Sequence, residues 1–206
     1  MSIKNIYCVG RNYILHAQEL NNPVPKAPLI FTKPTHAYVL AEGQALKMPA
    51  KKGKIHYETE LVVHIGKSYY PQAKADELID KFAIGIDFTL RELQEELKKK
   101  GYPWLAAKGF PNSALVSPWL PFEGVEALAK YDFALVQNDK EVQRGNIKDM
   151  IFDLSTLVNY IGLEFGLGPG DIIFTGTPAG VGEIRNGDHL VLTWQGNKVG
   201  ECVIEL

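Results

Sequence analysis

An α+β fold rich in strands is the class this sequence predicts, on three observations. Short apolar and β-branched runs outnumber helical patterns, the helical patterns do not alternate regularly with them, and several runs pair off as hairpins. A doubly wound parallel sheet would need that alternation. The 206 residues, 46 % hydrophobic and 22 % charged, suit a single domain, residues 1–206, with a substantial core. A net charge of −2 gives no basic patch for nucleic acid, and no lysine-rich amphipathic helix points to a membrane surface. No apolar run approaches membrane-spanning length. Cys8 and Cys202 form no Cys-x-x-Cys, and the opening Met-Ser-Ile-Lys-Asn-Ile-Tyr lacks the apolar core of a signal peptide. The expectation is a reducing cytoplasm.

Residues 3–9 read as a strand ending at Gly10, after which Asn12 is placed to cap a helix from Tyr13 to about Leu20. On that helix His16 and Glu19 share a face. Such a pair is either a surface contact or a dyad whose carboxylate orients the imidazole and supports its protonated form, making a general base near neutral pH. Three prolines then keep Asn21–Pro28 out of regular structure, and beside a site the segment from about 10 to 28 would serve as a lid. Leu29–Thr32 and Ala45–Met48 are short strands.

The most informative stretch is 54–67, Lys-Ile-His-Tyr-Glu-Thr-Glu-Leu-Val-Val-His-Ile-Gly-Lys, which reads as one strand. Alternation puts His56, Glu58 and Glu60 on one face, the two glutamates with Cα atoms roughly 6.6 Å apart. Two like charges there describe a solvated face or the ligands of a hard cation. Asp76 reads as the cap of a helix to about Lys81, and the apolar run Phe82–Ile86 then delivers Asp87, a carboxylate that is costly there unless paired or metal-bound. Three carboxylates without cysteine suit Mg²⁺ or Mn²⁺ better than Zn²⁺. His56 shares the face, but an all-oxygen set describes a hard-metal site without it.

A helix from about Thr89 to Lys100 follows, with Leu90, Leu93 and Leu97 as its buried stripe and Gly101 as its stop. Arg91 and Gln94 share one stripe of it; they either face solvent or bring a guanidinium and an amide to the Asp87 pocket. Lys108 stands in the apolar run Pro103–Phe110, where it either snorkels or aims at a metal-bound substrate. A hairpin is expected over 132–137 and 141–144, a core helix over Asp153–Leu167, a strand over Asp171–Phe174, and a second hairpin over His189–Trp194 and Lys198–Ile204. Between the last two lies Thr175-Gly176-Thr177-Pro178-Ala179-Gly180-Val181-Gly182, a loop able to present N–H groups and hydroxyls to a small anion, yet neither a P-loop nor a dinucleotide fingerprint. There is no Gly-x-Ser-x-Gly and no His-Glu-x-x-His, which argues against serine and zinc hydrolases.

In order along almost the whole chain, Gly10-Arg11-Asn12-Tyr13 with His16 and Glu19, Tyr57-Glu58-Thr59-Glu60-Leu61, Gly85-Ile86-Asp87, Arg91 with Gln94, Lys108 and the 175–182 loop are similar to the fumarylacetoacetate hydrolase family. The chain most resembles its short single-domain members, the acylpyruvases. The resemblance implies a β-rich roll of mixed sheets with a few peripheral helices, a homodimer, and Mg²⁺ or Mn²⁺ held by Glu58, Glu60 and Asp87. It makes His16 and Glu19 the catalytic dyad on a segment that closes over the substrate. Lys108 would polarise the reacting carbonyl, Gln94 would hold the attacking water, and Arg11, Arg91 and Thr177 would contact the substrate's anionic groups.

The implied substrate is a small 2-oxo or 2,4-dioxo acid, and the implied reaction cleaves an acylpyruvate with water, through an enolate, to pyruvate and a carboxylate. The same site would serve oxaloacetate decarboxylation or keto–enol and double-bond isomerisation; a protein of another class would hold an oxo acid without turnover. Residues Pro111–Pro118 depart from the Asp-Thr-x-x-Pro-x-Gly-Pro pattern of the family, which bears on the pocket wall and so on the substrate.

Overall fold

The computed structural model describes residues 2–19 and 23–206. Strand β1 (Ile6–Gly10) runs into helix α1 (Ile14–Glu19), and β2 (Leu29–Lys33), β3 (Tyr38–Leu40) and β4 (Glu42–Lys47) follow. Next come β5 (Ile55–Tyr57), β6 (Thr59–Ile65), α2 (Ala75–Leu78), β7 (Ile79–Asp87), β8 (Thr89–Leu90), α3 (Arg91–Lys100) and α4 (Leu105–Lys108). The remainder adds β9 (Ala114–Val116), β10 (Leu120–Pro121), α5 (Val125–Leu128), β11 (Phe133–Gln137), β12 (Lys140–Gly145), α6 (Leu154–Glu164), β13 (Ile172–Phe174), β14 (Gly182–Glu183), β15 (His189–Trp194) and β16 (Asn197–Glu205). The predicted α+β class, rich in mixed sheets, is what the chain adopts.

One sheet runs β2-β1-β13-β6-β7-β9-β3, with β10 also on β7; a second runs β12-β11-β15-β16-β4; a third, β14-β5-β8. Most pairs are antiparallel, but β1 with β13, β3 with β9 and β16 with β4 are parallel. Strand β6 is buried along its whole length. Leu61, Val63 and Ile65 enter the larger core, while Val62 enters a smaller one with Ile6, Cys8, Ala83 and Phe174 on the opposite face. Gly85 lets the strands meet there, since a Cβ would stand 2.7 Å from Val62 Cγ2 and 2.9 Å from Phe174 Cε1. Register then decides where the acids go. Thr59 pairs with Ile86 and Glu60 with Gly85, so Glu60 and Asp87 emerge at the same end of the sheet.

Several elements differ from expectation. The 54–67 stretch is two strands in two sheets, parted at Glu58, whose carbonyl accepts from the Asp87 N–H at 2.8 Å. The helix expected from Asp76 to Lys81 is only Ala75–Leu78, because β-branched Ile79 starts β7; Asp76 receives the Val125 N–H at 2.9 Å, at the start of α5. Asn12 does not cap α1. Its amide donates to Phe152 O and Thr175 O and accepts from Phe152 N–H, tying three loops together.

Helix α3 starts at Arg91, since Thr89 and Leu90 pair with His56 and Ile55 of β5. Its buried residue is Gln94, Leu93 and Leu97 being half-buried; Leu90 is fully buried just ahead of it. The helix stops as expected at Gly101, in the left-handed conformation. The core helix is α6, capped by Asp153, which accepts the Thr156 N–H at 2.7 Å. Strands β3, β9, β10 and β14 are too short to leave a sequence pattern. Leu20, Asn21 and Asn22, the end of the expected first helix and the start of the proline-rich segment, lie outside the described residues. Among the described residues no helix is long and apolar enough to cross a membrane.

Candidate metal centre and active site

Three carboxylates converge at the end of the β6–β7 pair. Glu58 comes from the break between β5 and β6, Glu60 from β6 and Asp87 from the end of β7. Each is buried, and one oxygen from each lies within 4.8 Å of the others. His56 is not part of this group. Like charges this close need cations. Lys108, at the end of α4, donates to Glu58 Oε2 at 2.7 Å, to Asp87 Oδ2 at 2.7 Å and to Thr89 Oγ1 at 2.6 Å. Arg91 Nη2 meets Glu58 Oε1 at 2.5 Å, and Arg91 Nη1 donates to Gln94 Oε1 at 2.7 Å. Glu60 Oε2 accepts the Gly176 N–H at 2.7 Å.

The environments push these groups apart. Burial opposes charge on Glu58, but Lys108 and Arg91, helped by His16, overcome it and hold that carboxyl well below its ordinary range. On Glu60 burial acts together with Asp87 and Glu58, and the Gly176 N–H and Lys108 do not offset them, so this carboxyl is pushed well up. Burial disfavours charge on Lys108 as well, yet Asp87 and Glu58 outweigh it and its ammonium is held on.

Helix α1 sets His16 across the pocket. Its Nδ1 is 3.4 Å from Glu19 Oε2, and Glu19 is in turn held by the Gly180 N–H at 3.1 and 3.2 Å. Burial pulls His16 below its ordinary pKa, with Glu58 and the Glu19 contact pulling back only in part. The imidazole is therefore a buried neutral base, not the supported imidazolium expected from the pair alone.

Arg11, Gln94, Thr177, Phe31 and Trp104 complete the walls of a cavity of about 30 Å³. Arg11 adopts a left-handed φ of 59°, uncommon for a residue with a side chain. Among the described residues it has no hydrogen-bond or ion-pair partner, which leaves its guanidinium free for an anion. The Thr177 hydroxyl is already engaged: it donates to Thr59 O at 2.9 Å and accepts from Gln143 Nε2 at 2.9 Å. The 175–182 loop likewise spends the Gly176 and Gly180 amides on Glu60 and Glu19 and does not cradle a free anion with them.

The family model described as fumarylacetoacetate hydrolase C-terminal matches residues 5–205. The chain belongs to the fumarylacetoacetate hydrolase family. It is 40 % identical over 189 residues to the human oxaloacetate tautomerase FAHD1, mitochondrial, covering 91 % of this chain and 85 % of that protein. The fumarylpyruvate hydrolase from Pseudomonas aeruginosa, solved with Mn²⁺ and pyruvate, superposes with a TM-score of 0.91 at 34 % identity, over 99 % of this chain and 90 % of that one. The 5-carboxymethyl-2-hydroxymuconate delta-isomerase from Mycobacterium smegmatis gives a TM-score of 0.84 at 30 % identity, over 98 % and 79 %.

The carboxylate cluster fits the hard cation that this family implies. Its donors are all oxygen, and Asp87 Oδ1, shut off from water, receives no hydrogen bond. Lys33 Nζ lies 2.7 Å from that oxygen but off a hydrogen-bonding direction. Lys33 is the residue that sequence reasoning missed. Buried at the end of β2, it also donates to Ser113 Oγ at 3.1 Å, Phe88 O at 3.3 Å and Lys108 O. Its signal was available: Phe31-Thr32-Lys33-Pro34 puts an ammonium at the end of an apolar run, as Leu105-Ala106-Ala107-Lys108 does. Gln143, which fixes Thr177 and also accepts the Thr59 N–H at 2.9 Å, left no such mark.

Proposed function

We propose that this chain is a Mg²⁺- or Mn²⁺-dependent enzyme of small 2-oxo acids that works through an enolate, with enol–keto tautomerisation of oxaloacetate as its main reaction. The observation that carries the reading is the charge of the pocket. Three carboxylates, Glu58, Glu60 and Asp87, face three cations, Lys33, Lys108 and Arg91, and balance them. With Glu60 ionised, a divalent cation then leaves two positive charges unmatched and Arg11, unpartnered among the described residues, adds a third, an excess that favours a dianionic substrate over a monoanionic one. The oxaloacetate tautomerases among its relatives support the same choice.

Glu58, Glu60 and Asp87 would hold the metal, which when bound supplies Lewis-acid stabilisation of negative charge on the 2-oxo oxygen. Arg11 would neutralise one substrate carboxylate, and Arg91, its charge already matched by Glu58, would contact the other as a hydrogen-bond donor. Lys108 would add a positive charge where the enolate oxygen develops. His16, neutral and with Nε2 left over by the Nδ1 contact to Glu19, would accept the proton of the enol hydroxyl at Nε2 and deliver it to C3, so that the 2-oxo form results and the imidazole ends neutral. Glu19 would keep the ring oriented, and the α1 segment within residues 10–28 would act as the lid that excludes water.

Hydrolysis of acylpyruvates is the second reading. It is favoured by the amide nitrogen of Gln94, which has no partner among the described residues and would hold a water against which the same His16 acts as base. A homodimer goes with either reading, as a proposal that light scattering of the purified chain tests, and the cytoplasmic location proposed with it is tested by fractionating cells that express the chain. Ultraviolet assays of enol-oxaloacetate and of acetylpyruvate, each with and without Mg²⁺ or Mn²⁺, separate the reactions. Metal-dependent loss of enol-oxaloacetate above the buffer rate is the expected result; turnover of neither substrate refutes both.

A further inference from the structure

We propose that Phe31 and Trp104 form a partition that sets the length of 2-oxo acid the site accepts, barring those with an extended apolar chain. The inference rests on the reading of the pocket as a 2-oxo acid site and goes beyond it to substrate class. The two rings meet edge to face, with centroids 5.6 Å apart and planes at 62°. Both line the charged cavity of about 30 Å³, and both line a neighbouring groove of about 380 Å³. The groove is apolar, walled by Leu29, Ile30, Tyr102, Pro103 and Leu105, of which Tyr102 is 58 % and Leu105 55 % exposed. A charged chamber and an apolar one thus share a wall one aromatic pair thick.

The wall is held in place from both sides. Trp104 packs over Gly10, where a Cβ would stand 3.6 Å from Trp104 Cζ3 and 3.1 Å from Leu29 Cδ2. Phe31 carries Lys108 Nζ 5.1 Å from its ring centroid, so the ring is fixed by the ammonium at the heart of the site. An apolar tail longer than a few carbons has no room on the charged side and would desolvate Lys108 and Arg91 without replacing their partners. Beyond the wall it would find the groove, where each further methylene gains affinity by burial. Trimming Trp104 joins the chambers. The Trp104 backbone carbonyl, which receives the Lys108 N–H at 3.0 Å, is untouched by that change.

The test titrates the Mg²⁺-loaded chain calorimetrically with 2-oxobutanoate and with 2-oxooctanoate, in the parent, in Trp104→Ala and in Trp104→Ala/Leu105→Asp. The ratio of the two dissociation constants within one preparation does not depend on how much of it is folded. The parent should prefer the short acid. Trp104→Ala should shift the ratio towards the long acid by at least about tenfold, and the added charge of Leu105→Asp should cancel most of that shift. A parent that already binds the long acid as well as the short one overturns the proposal, as does an unchanged ratio in Trp104→Ala. If oxaloacetate is turned over while the ratio stays fixed, the wall alone is wrong. If no 2-oxo acid binds parent or variant, the reading of the pocket fails and the wall with it.

Discussion

His16 is the residue on which burial and charge most directly oppose each other. Burial lowers its pKa and the nearby carboxylates only partly restore it. A base must be neutral to work, so the acid limb of kcat/KM should fall below pH 6.5, the ordinary value for histidine, and a bound cation would push it lower still. A limb above pH 6.5 in a pH–rate profile would contradict this. His16→Ala should lose roughly 10²- to 10⁴-fold in rate while still binding Mg²⁺. The same residue shows how far sequence reaches. Spacing brought His16 and Glu19 together, but the sign of the pKa shift depends on how deeply α1 is buried, and that follows from packing. Lys33 was overlooked for a related reason, since its partner Asp87 is 54 residues away and only the fold joins them.

Among the elements, the 175–182 loop matters most to the site, because its Gly176 N–H is what Glu60 has from the backbone. Gly176 has a φ of 102°, and a Cβ there would stand 2.6 Å from Asn12 Cβ. Gly176→Ala should therefore destabilise the chain by about 2–4 kcal/mol through backbone strain and overpacking, and should weaken Mg²⁺ binding as Glu60 shifts. Denaturant melts and a Mg²⁺ titration read both effects; intact affinity would show that Glu60 does not rely on the loop. The sequence marked this loop by its glycines, but suggested an anion cradle. Its amides serve the protein's own carboxylates, which spacing alone could not reveal. The break at Glu58 was also silent, because Tyr57-Glu58-Thr59 has no glycine or proline and the interruption is a change of partners, β5 pairing with β14 and β8 and β6 with β13 and β7.

At the scale of the molecule, the eight-stranded sheet ends in a concentration of buried charge that costs stability unless it is matched. Metal binding should stabilise the fold by about 2.7 kcal/mol at a hundred times the dissociation constant, raising Tm by roughly 5–10 °C for a chain of this size. Glu60→Ala should abolish the rise. Glu60 is pushed up without the ion and must be a carboxylate to bind it, so binding should release protons and weaken as pH falls. Calorimetry in buffers of different ionisation enthalpy measures that release; a Tm indifferent to Mg²⁺ would refute the metal site.

Strands β5 and β6 belong to different sheets, and Glu58 sits at the seam between them. Two of the three oxygens that would grip the ion are thus only two residues apart in the chain, one at the seam between two sheets and one inside the larger sheet. Any sliding of one sheet past the other would be felt first as a loosened grip on the ion, which makes the bound metal a strain gauge for the whole roll.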